Sequence, residues 1–187
     1  LRADRVDLKA ENADLTVATL LCTKRRDEAE RLVKRLHGSV AHDAWVRGLI
    51  YADCGPEAVQ YVSTVAAEDE LPASSFEAAI HACRRVEDAE TGRALFRALQ
   101  QRQQQGVDVG CLTALAALYG QCQRWDDAIA TLEQARGLGH RLNLSLYKSW
   151  LHSLNGKRDG AGSLAVLDDM RSVGRRSGIP LCLSIRP

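Results

Sequence analysis

Aromatic side chains are scarce in this sequence, 5% of 187 residues, and it has only four prolines. Strands draw on aromatic and β-branched residues, so the shortage disfavours a sheet sandwich, while plentiful Ala, Leu and Arg favour helices. The six cysteines (Cys22, Cys54, Cys83, Cys111, Cys122 and Cys182) include no Cys-x-x-Cys pair. Scattered in this way they read as small buried apolar residues in a reducing compartment and support neither a disulfide framework nor a zinc site. The longest nearly apolar stretch, Leu112 to Tyr119, falls far short of the roughly 20 residues that a membrane helix needs. A soluble protein with no membrane partner is expected. Nor is there an excess of one charge: 25 Lys and Arg meet 24 Asp and Glu, a net +1 that excludes a histone-like polycation. The first residue is Leu1, and the opening LRADRVDLKAENAD is too acidic for an Arg/Ser-rich transit peptide. The expectation is that a leader has been removed or that a longer sequence precedes Leu1.

What the sequence does have is internal repetition. A small residue opens an apolar-periodic segment that ends seven positions later in a bulky one: Ala29 with Leu36, Ala58 with Val65, Gly92 with Leu99 and Ser163 with Met170. Ala128 with Ala135 has the same spacing and a small second member. Successive small residues lie 29, 34, 36 and 35 positions apart, a period of about 35 shortened once. Apolar residues fall at helical spacing before and after each polar break, as in Leu112, Leu115, Leu118 and Tyr119, then Ala128, Ile129, Leu132 and Ala135. Asp27-Glu28, Glu57 and Asp126-Asp127 sit where second helices start, at the positive end of the helix dipole. Gly106, Gly139 and Gly174 stand where second helices should end. A pair of such helices cannot hide its apolar face alone, so the pairs must stack. The expected fold is all-α: a right-handed α-solenoid of about five helix-turn-helix repeats, spanning roughly 10–39, 40–72, 73–108, 109–143 and 144–178. Residues 1–9 form an N-terminal extension and 179–187 a C-terminal tail.

Two repeat families have hairpins of this length. The fourth unit partly satisfies the tetratricopeptide pattern with Leu115, Ala116, Tyr119, Ala128, Leu132 and Ala135, although His140 stands where Pro belongs. The other units carry Leu36, Val65, Leu99 and Met170 in place of the second Ala, which resembles the pentatricopeptide repeat, whose second helix reads Ala-x-x-x-Φ-x-x-Met. The fifth unit, LYKSWLHSLNGKRDGAGSLAVLDDMRSVG, is similar to that family from Tyr147 to Gly174, and the third looks like its variant form with His-Ala-Cys in helix one. The resemblance covers about residues 10–178. It implies a protein of mitochondria, or alternatively of plastids, that binds single-stranded RNA, one base per repeat, through a residue early in the first helix and the residue closing the repeat.

Transferred by register, that implication gives Thr113 with Asn143 in the fourth unit, a polar pair resembling the family's combination for adenine. A helix-capping role for the same two residues is the alternative. The equivalent pairs elsewhere are Asp43 with Pro72, Glu77 with Asp108 and Lys148 with Gly178, while the first unit offers Asp14 alone. Carboxylates at Asp43 and Glu77 oppose an RNA strand, so these units read as scaffold. Charge splits along the chain: residues 1–135 carry −5 and residues 136–187 carry +6. Phosphate contact is therefore expected at the C-terminal end, from Arg141, Lys148, Lys157, Arg158, Arg175 and Arg176. Tyr147 and Trp150 are candidate stacking groups there, with core packing the stronger reading of both.

Catalysis has little support. His37, His42, His81, His140 and His152 form no His-Glu-x-x-His arrangement, and GKRDGAG lacks the Lys-Ser/Thr of a nucleotide-binding loop. The sequence predicts a non-enzymatic scaffold without cofactor or metal, holding RNA, ribosomal RNA in a mitochondrial ribosome subunit foremost, at its basic end and neighbouring proteins at its acidic units. Competing expectations are a tetratricopeptide-like protein scaffold and a sequence-specific organellar RNA processing or stability factor.

Overall fold

A computed structural model of the chain describes residues 12–66, 71–102, 108–139, 142 and 144–176, the side chains of 173–176 apart. The described residues form ten α-helices and no strand: α1 (Ala13–Cys22), α2 (Arg26–Val33), α3 (Ser39–Tyr51), α4 (Gly55–Val65), α5 (Ala73–Arg85), α6 (Ala89–Arg102), α7 (Val109–Gln121), α8 (Trp125–Gly137), α9 (Leu144–Gly156) and α10 (Gly160–Arg176). Each odd helix packs on the even helix after it and on the next odd helix, and each even helix up to α8 packs on the odd helix that follows. No even-to-even packing of comparable extent occurs among the described residues. Position in this arrangement decides which residues are buried. On α5, Phe76, Ala79, Ile80 and Cys83 form one stripe at helical spacing, each 0% exposed. α7 meets α5, α6, α8 and α9 and is accordingly buried nearly all round, from Cys111 to Gly120. α2, at one end, has eight residues and buries only Ala29.

Four of the five small residues that set the sequence period lie where helices approach closely. Ala29, Ala58 and Ala128 are each 0% exposed, and a Cβ on Gly92 would stand 2.2 Å from Leu118 Cδ2. Gly48, where α3 crosses α1, is tighter in kind: its Cβ would meet Val17 Cγ1 and Cβ at 2.4 and 2.7 Å. Val17 is β-branched and stiff at χ1.

The turn from each odd helix to its even partner has one geometry throughout. Lys24, Asp53, Glu87, Gln123 and Arg158 all take a left-handed backbone, with φ between 55° and 61°. The N–H of each reaches the carbonyl three residues back, and the following N–H reaches five back, as in Arg25 to Leu20 at 2.8 Å and Arg124 to Tyr119 at 2.8 Å. This is the Schellman closure of a helix C-terminus, usually built on glycine. The five residues are 29, 34, 36 and 35 apart, the same intervals as the small residues of the even helices. In four of the five turns the next residue then starts the even helix in one of two ways, while Cys54, two residues before Pro56, makes no side-chain cap on α4. Asp88 and Asp159 accept the N–H of Thr91 (3.0 Å) and Gly162 (2.9 Å), whereas Arg25 and Arg124 grip Glu28 and Asp127, three residues on.

Several expectations about individual residues change. Gly139 does take positive φ after α8, at 74°, but Gly174 lies inside α10, which continues to Arg176, and Gly106 is outside the described residues. Gly38, at φ 59° before α3, makes the break that closes the first helix pair. Of the cysteines, Cys83 and Cys111 are buried, Cys54 and Cys122 half-buried and Cys22 exposed, all five free, while Cys182 is outside the described residues. Among the described residues no helix is long and apolar enough to cross a membrane.

Candidate nucleic-acid interface

α7 begins at Val109 because the Asp108 carboxylate accepts the Gly110 N–H at 3.0 Å and caps the helix. Thr113 follows on the next turn, half-buried, and its hydroxyl donates to the Val109 carbonyl at 2.7 Å. The capping role therefore belongs to Asp108, and the Thr113 proton is held within its own helix. Asn143 and Arg141 lie outside the described residues. At the basic end, Lys148 on α9 and Arg158 in the α9–α10 turn are exposed, and among the described residues neither meets a carboxylate. Ten residues of mostly helical rise separate them, roughly 15 Å. Lys157 is different. Its ammonium pairs with Asp126 of α8, which raises its pKa by hydrogen bond and charge. Arg175 and Arg176 close α10, their side chains outside the described residues. Tyr147 and Trp150 are 3% and 5% exposed, and the Tyr147 hydroxyl donates to Asp169 at 2.9 Å. Both aromatics belong to the core.

Lys157 is part of a wider pattern. Arg26 pairs with Glu57 (2.8 Å), Arg85 with Asp53 (2.7 Å), Arg93 with Asp127 (2.9 Å), Arg124 with Glu90, and Arg136 with Asp169 (3.3 Å). The partners stand 31 to 34 positions apart, so each pair ties one helix hairpin to the next. Exposed pairs of this kind, screened by solvent, add little to stability. Their larger consequence is for charge: Arg136, Lys157 and Arg171 are matched locally by Asp169, Asp126 and Asp168, which leaves Lys148 and Arg158 as the open cations of the described C-terminal helices.

A second feature lies on the odd helices at the other end. Asp14, Asp43, Ser39, Arg47, Pro72 and Ser74 line a hollow of about 480 Å³ where the starts of α1, α3 and α5 meet. Asp43 is fully engaged there. Its Oδ1 accepts the Ser74 and Ser75 hydroxyls at 2.7 and 3.2 Å, and its Oδ2 is 2.9 Å from Arg47 Nε. Arg47 and Ser74 also bound a neighbouring hollow of about 230 Å³ with Tyr51, Glu77 and His81, so the two hollows form one trough along α3 and α5. Glu77 has the His81 ring near it, at 3.9 Å, and burial holds that ring's pKa below its ordinary value. On its other side Glu77 reaches Gly110: Glu77 Oε2 and Asp108 Oδ2 stand 2.5 and 2.7 Å from the place a Cβ would occupy there, hence within about 5 Å of each other. The two carboxylates that sequence register paired in the third unit are in fact neighbours. Arg47, Ser74 and His81 escaped sequence reasoning because they become a wall only when α5 docks on α3.

Among the described residues no group of three or more His, Cys, Asp or Glu side chains converges as a metal site would require. Burial pushes the Cys83 and Cys111 thiols up to about 12, far from the thiolate that nucleophilic chemistry needs. No protein-family model matches the chain, and no curated protein matches it in sequence.

Proposed function

We propose that this protein is a right-handed α-solenoid of five helix-turn-helix repeats, similar to pentatricopeptide-repeat proteins, acting as a non-catalytic scaffold in an organellar ribonucleoprotein. A mitochondrial ribosome subunit is the setting that suits it best. The observation that carries the repeat reading is the run of left-handed turns at Lys24, Asp53, Glu87, Gln123 and Arg158, whose intervals match those of the small residues in the even helices. Cross-hairpin ion pairs one period apart support the same stacking. RNA phosphates are assigned to the basic end, where Lys148 and Arg158 are exposed without a carboxylate partner among the described residues, with Arg141, Arg175 and Arg176 added by sequence. Asp14, Asp43 and Glu77 at the base-facing register positions weigh against base reading along the whole array.

Reversing the charge of Arg141, Lys148, Arg158, Arg175 and Arg176 tests the assignment. Each lost phosphate contact on a single strand flattens the dependence of log affinity on log salt by about 0.7, so weakened RNA binding and a shallower slope are expected together. RNA affinity unchanged at low and moderate salt overturns it. The acidic trough on α3 and α5 favours one competing reading, a tetratricopeptide-like scaffold that holds only protein, and that reading predicts no RNA binding in either variant or parent.

A further inference from the structure

We infer that the groove between α8 and α10 is the docking site of the chain's own residues 177–187, which lie outside the described residues. The inference goes beyond the scaffold reading and stands without any RNA. α8 and α10 each pack on α9 and not to a comparable extent on each other, which leaves a hollow of about 650 Å³ between them. It is larger than either hollow along α3 and α5. Ile129 of α8, Trp150 and Leu154 of α9, and Ala165 and Val166 of α10 supply its apolar lining. Ion pairs mark its two ends, Asp126 with Lys157 and Arg136 with Asp169. Among the lining residues Asp126, Glu133, Asp159, Asp168 and Asp169 outnumber Arg136 and Lys157 by five to two. The groove is therefore apolar along its length and net negative at its rim, which repels a phosphate chain.

The segment has the matching chemistry. Pro180 lacks an N–H and disfavours the helical region for Ile179, so the sequence is unsuited to prolonging α10. Ile179, Leu181, Leu183 and Ile185 alternate with Pro180, Cys182, Ser184 and Arg186, the pattern that gives an extended segment one apolar face. Residues 177–187 contain Arg186 and no carboxylate, opposite in sign to the groove. Position and length fit as well. Ser172 lines the groove five residues before Ser177, and Gly178 gives the backbone freedom to reverse there. From Asp159 to Ser172 the groove runs roughly 20 Å of helical rise, and residues 179 to 186 span roughly 23 Å when extended. Running back along α10, the segment lays its four apolar side chains over the lining and brings Arg186 to Asp126 and Asp159. Lys157 is the one lining cation at that end. A segment tethered this closely acts at an effective concentration on the order of mM, which a separate peptide of the same chemistry must exceed.

The experiment introduces the photocrosslinker benzoylphenylalanine into the full chain, as Leu183→benzoylphenylalanine in one sample and Cys182→benzoylphenylalanine in another, with crosslinks mapped by mass spectrometry. Crosslinks from position 183 should join residues of the same copy and fall within 126–136, 150–157 and 162–172. Position 182, on the opposite face of an extended segment, should give about threefold less. Crosslinks between two copies, crosslinks on α1 to α7, equal yields from the two positions, or no crosslink overturn the inference. Arg186→Glu should lower the yield from position 183 about threefold at low salt and less at high salt, and an unchanged yield counts against it. Hydrogen exchange supplies a reading that needs no crosslinker. Leu181→Ser with Leu183→Ser should speed exchange across 126–137 and 160–172 about tenfold and leave α5 unchanged, whereas Cys182→Ser with Ser184→Ala should leave all three unchanged. Equal exchange in the two variants, or α5 quickened as much as α10, overturns the docking.

Discussion

Replacing Gln123 by glycine should make the protein more stable, although the side chain removed is exposed and has no hydrogen-bond partner among the described residues. Gln123 holds φ at 57° in the turn between α7 and α8. An L-residue in that region carries a penalty of about 1–2 kcal/mol, while glycine adopts it freely and surrenders roughly 0.5–1 kcal/mol of extra chain entropy on folding. The difference leaves Gln123→Gly more stable by about 0.5–1 kcal/mol. Gln123→Val points the other way, because a β-branched side chain at positive φ is a steric outlier. Urea unfolding followed by circular dichroism gives the midpoints, with unchanged m-values showing that stability alone has moved. Hydrogen exchange at the Arg124 amide, which closes the turn on Tyr119 at 2.8 Å, should slow in the glycine variant and quicken in the valine one. A glycine variant no more stable than the parent, or a valine variant equal to it, would refute the left-handed turn and with it the shared geometry of the five connections.

Gly48→Ala should destabilise by about 1–3 kcal/mol through overpacking, since the new methyl meets Val17 at 2.4 Å; adding Val17→Ala should recover part of the loss in the same unfolding assay. Alkylation with iodoacetamide at pH 8, read by mass spectrometry, should label Cys22 first and leave Cys83 and Cys111, with thiols near 12, unlabelled until urea unfolds the chain. Asp88 is held below its ordinary carboxylate value by the Thr91 hydroxyl and then by the Thr91 N–H. Its folded pKa being the lower one, the stabilisation is fully present above the unfolded carboxylate range and disappears as pH falls through the folded value. Asp88→Ala should therefore cost about 1 kcal/mol at pH 7, with the gap from the parent closing below about pH 4.

Particular residues explain what could be read before the structure. The all-helical character follows from periodicity, as the stripe Leu112, Leu115 and Leu118 became the buried face of α7. The hairpin turns are legible as polar breaks, but their left-handed residue is Lys, Asp, Glu, Gln or Arg, so residue type carries no sign of the conformation that the hydrogen bonds to Leu20 or Tyr119 impose. Gly174 reads as a helix end because glycine often is one, yet α10 continues through it to Arg176. The site was less legible. Lys157 reads as a free loop cation until α8 brings Asp126 to it, a contact 31 positions away that no local pattern encodes. Summing charge over residues 136–187 gives +6 and hides that Arg136, Lys157 and Arg171 are already matched. The convergence of Glu77 and Asp108 had a signal in the sequence, their shared register, though their meeting at Gly110 depended on how closely α5 and α7 approach.

RNA is proposed to meet the basic C-terminal end and not the acidic face of the odd helices. Ultraviolet crosslinking of the full chain to RNA, with crosslinked peptides mapped by mass spectrometry, tests it most directly. Crosslinks are predicted within 141–158 and 170–187, and none within 39–102. Crosslinks centred on α3 and α5, or no crosslink anywhere, would contradict it.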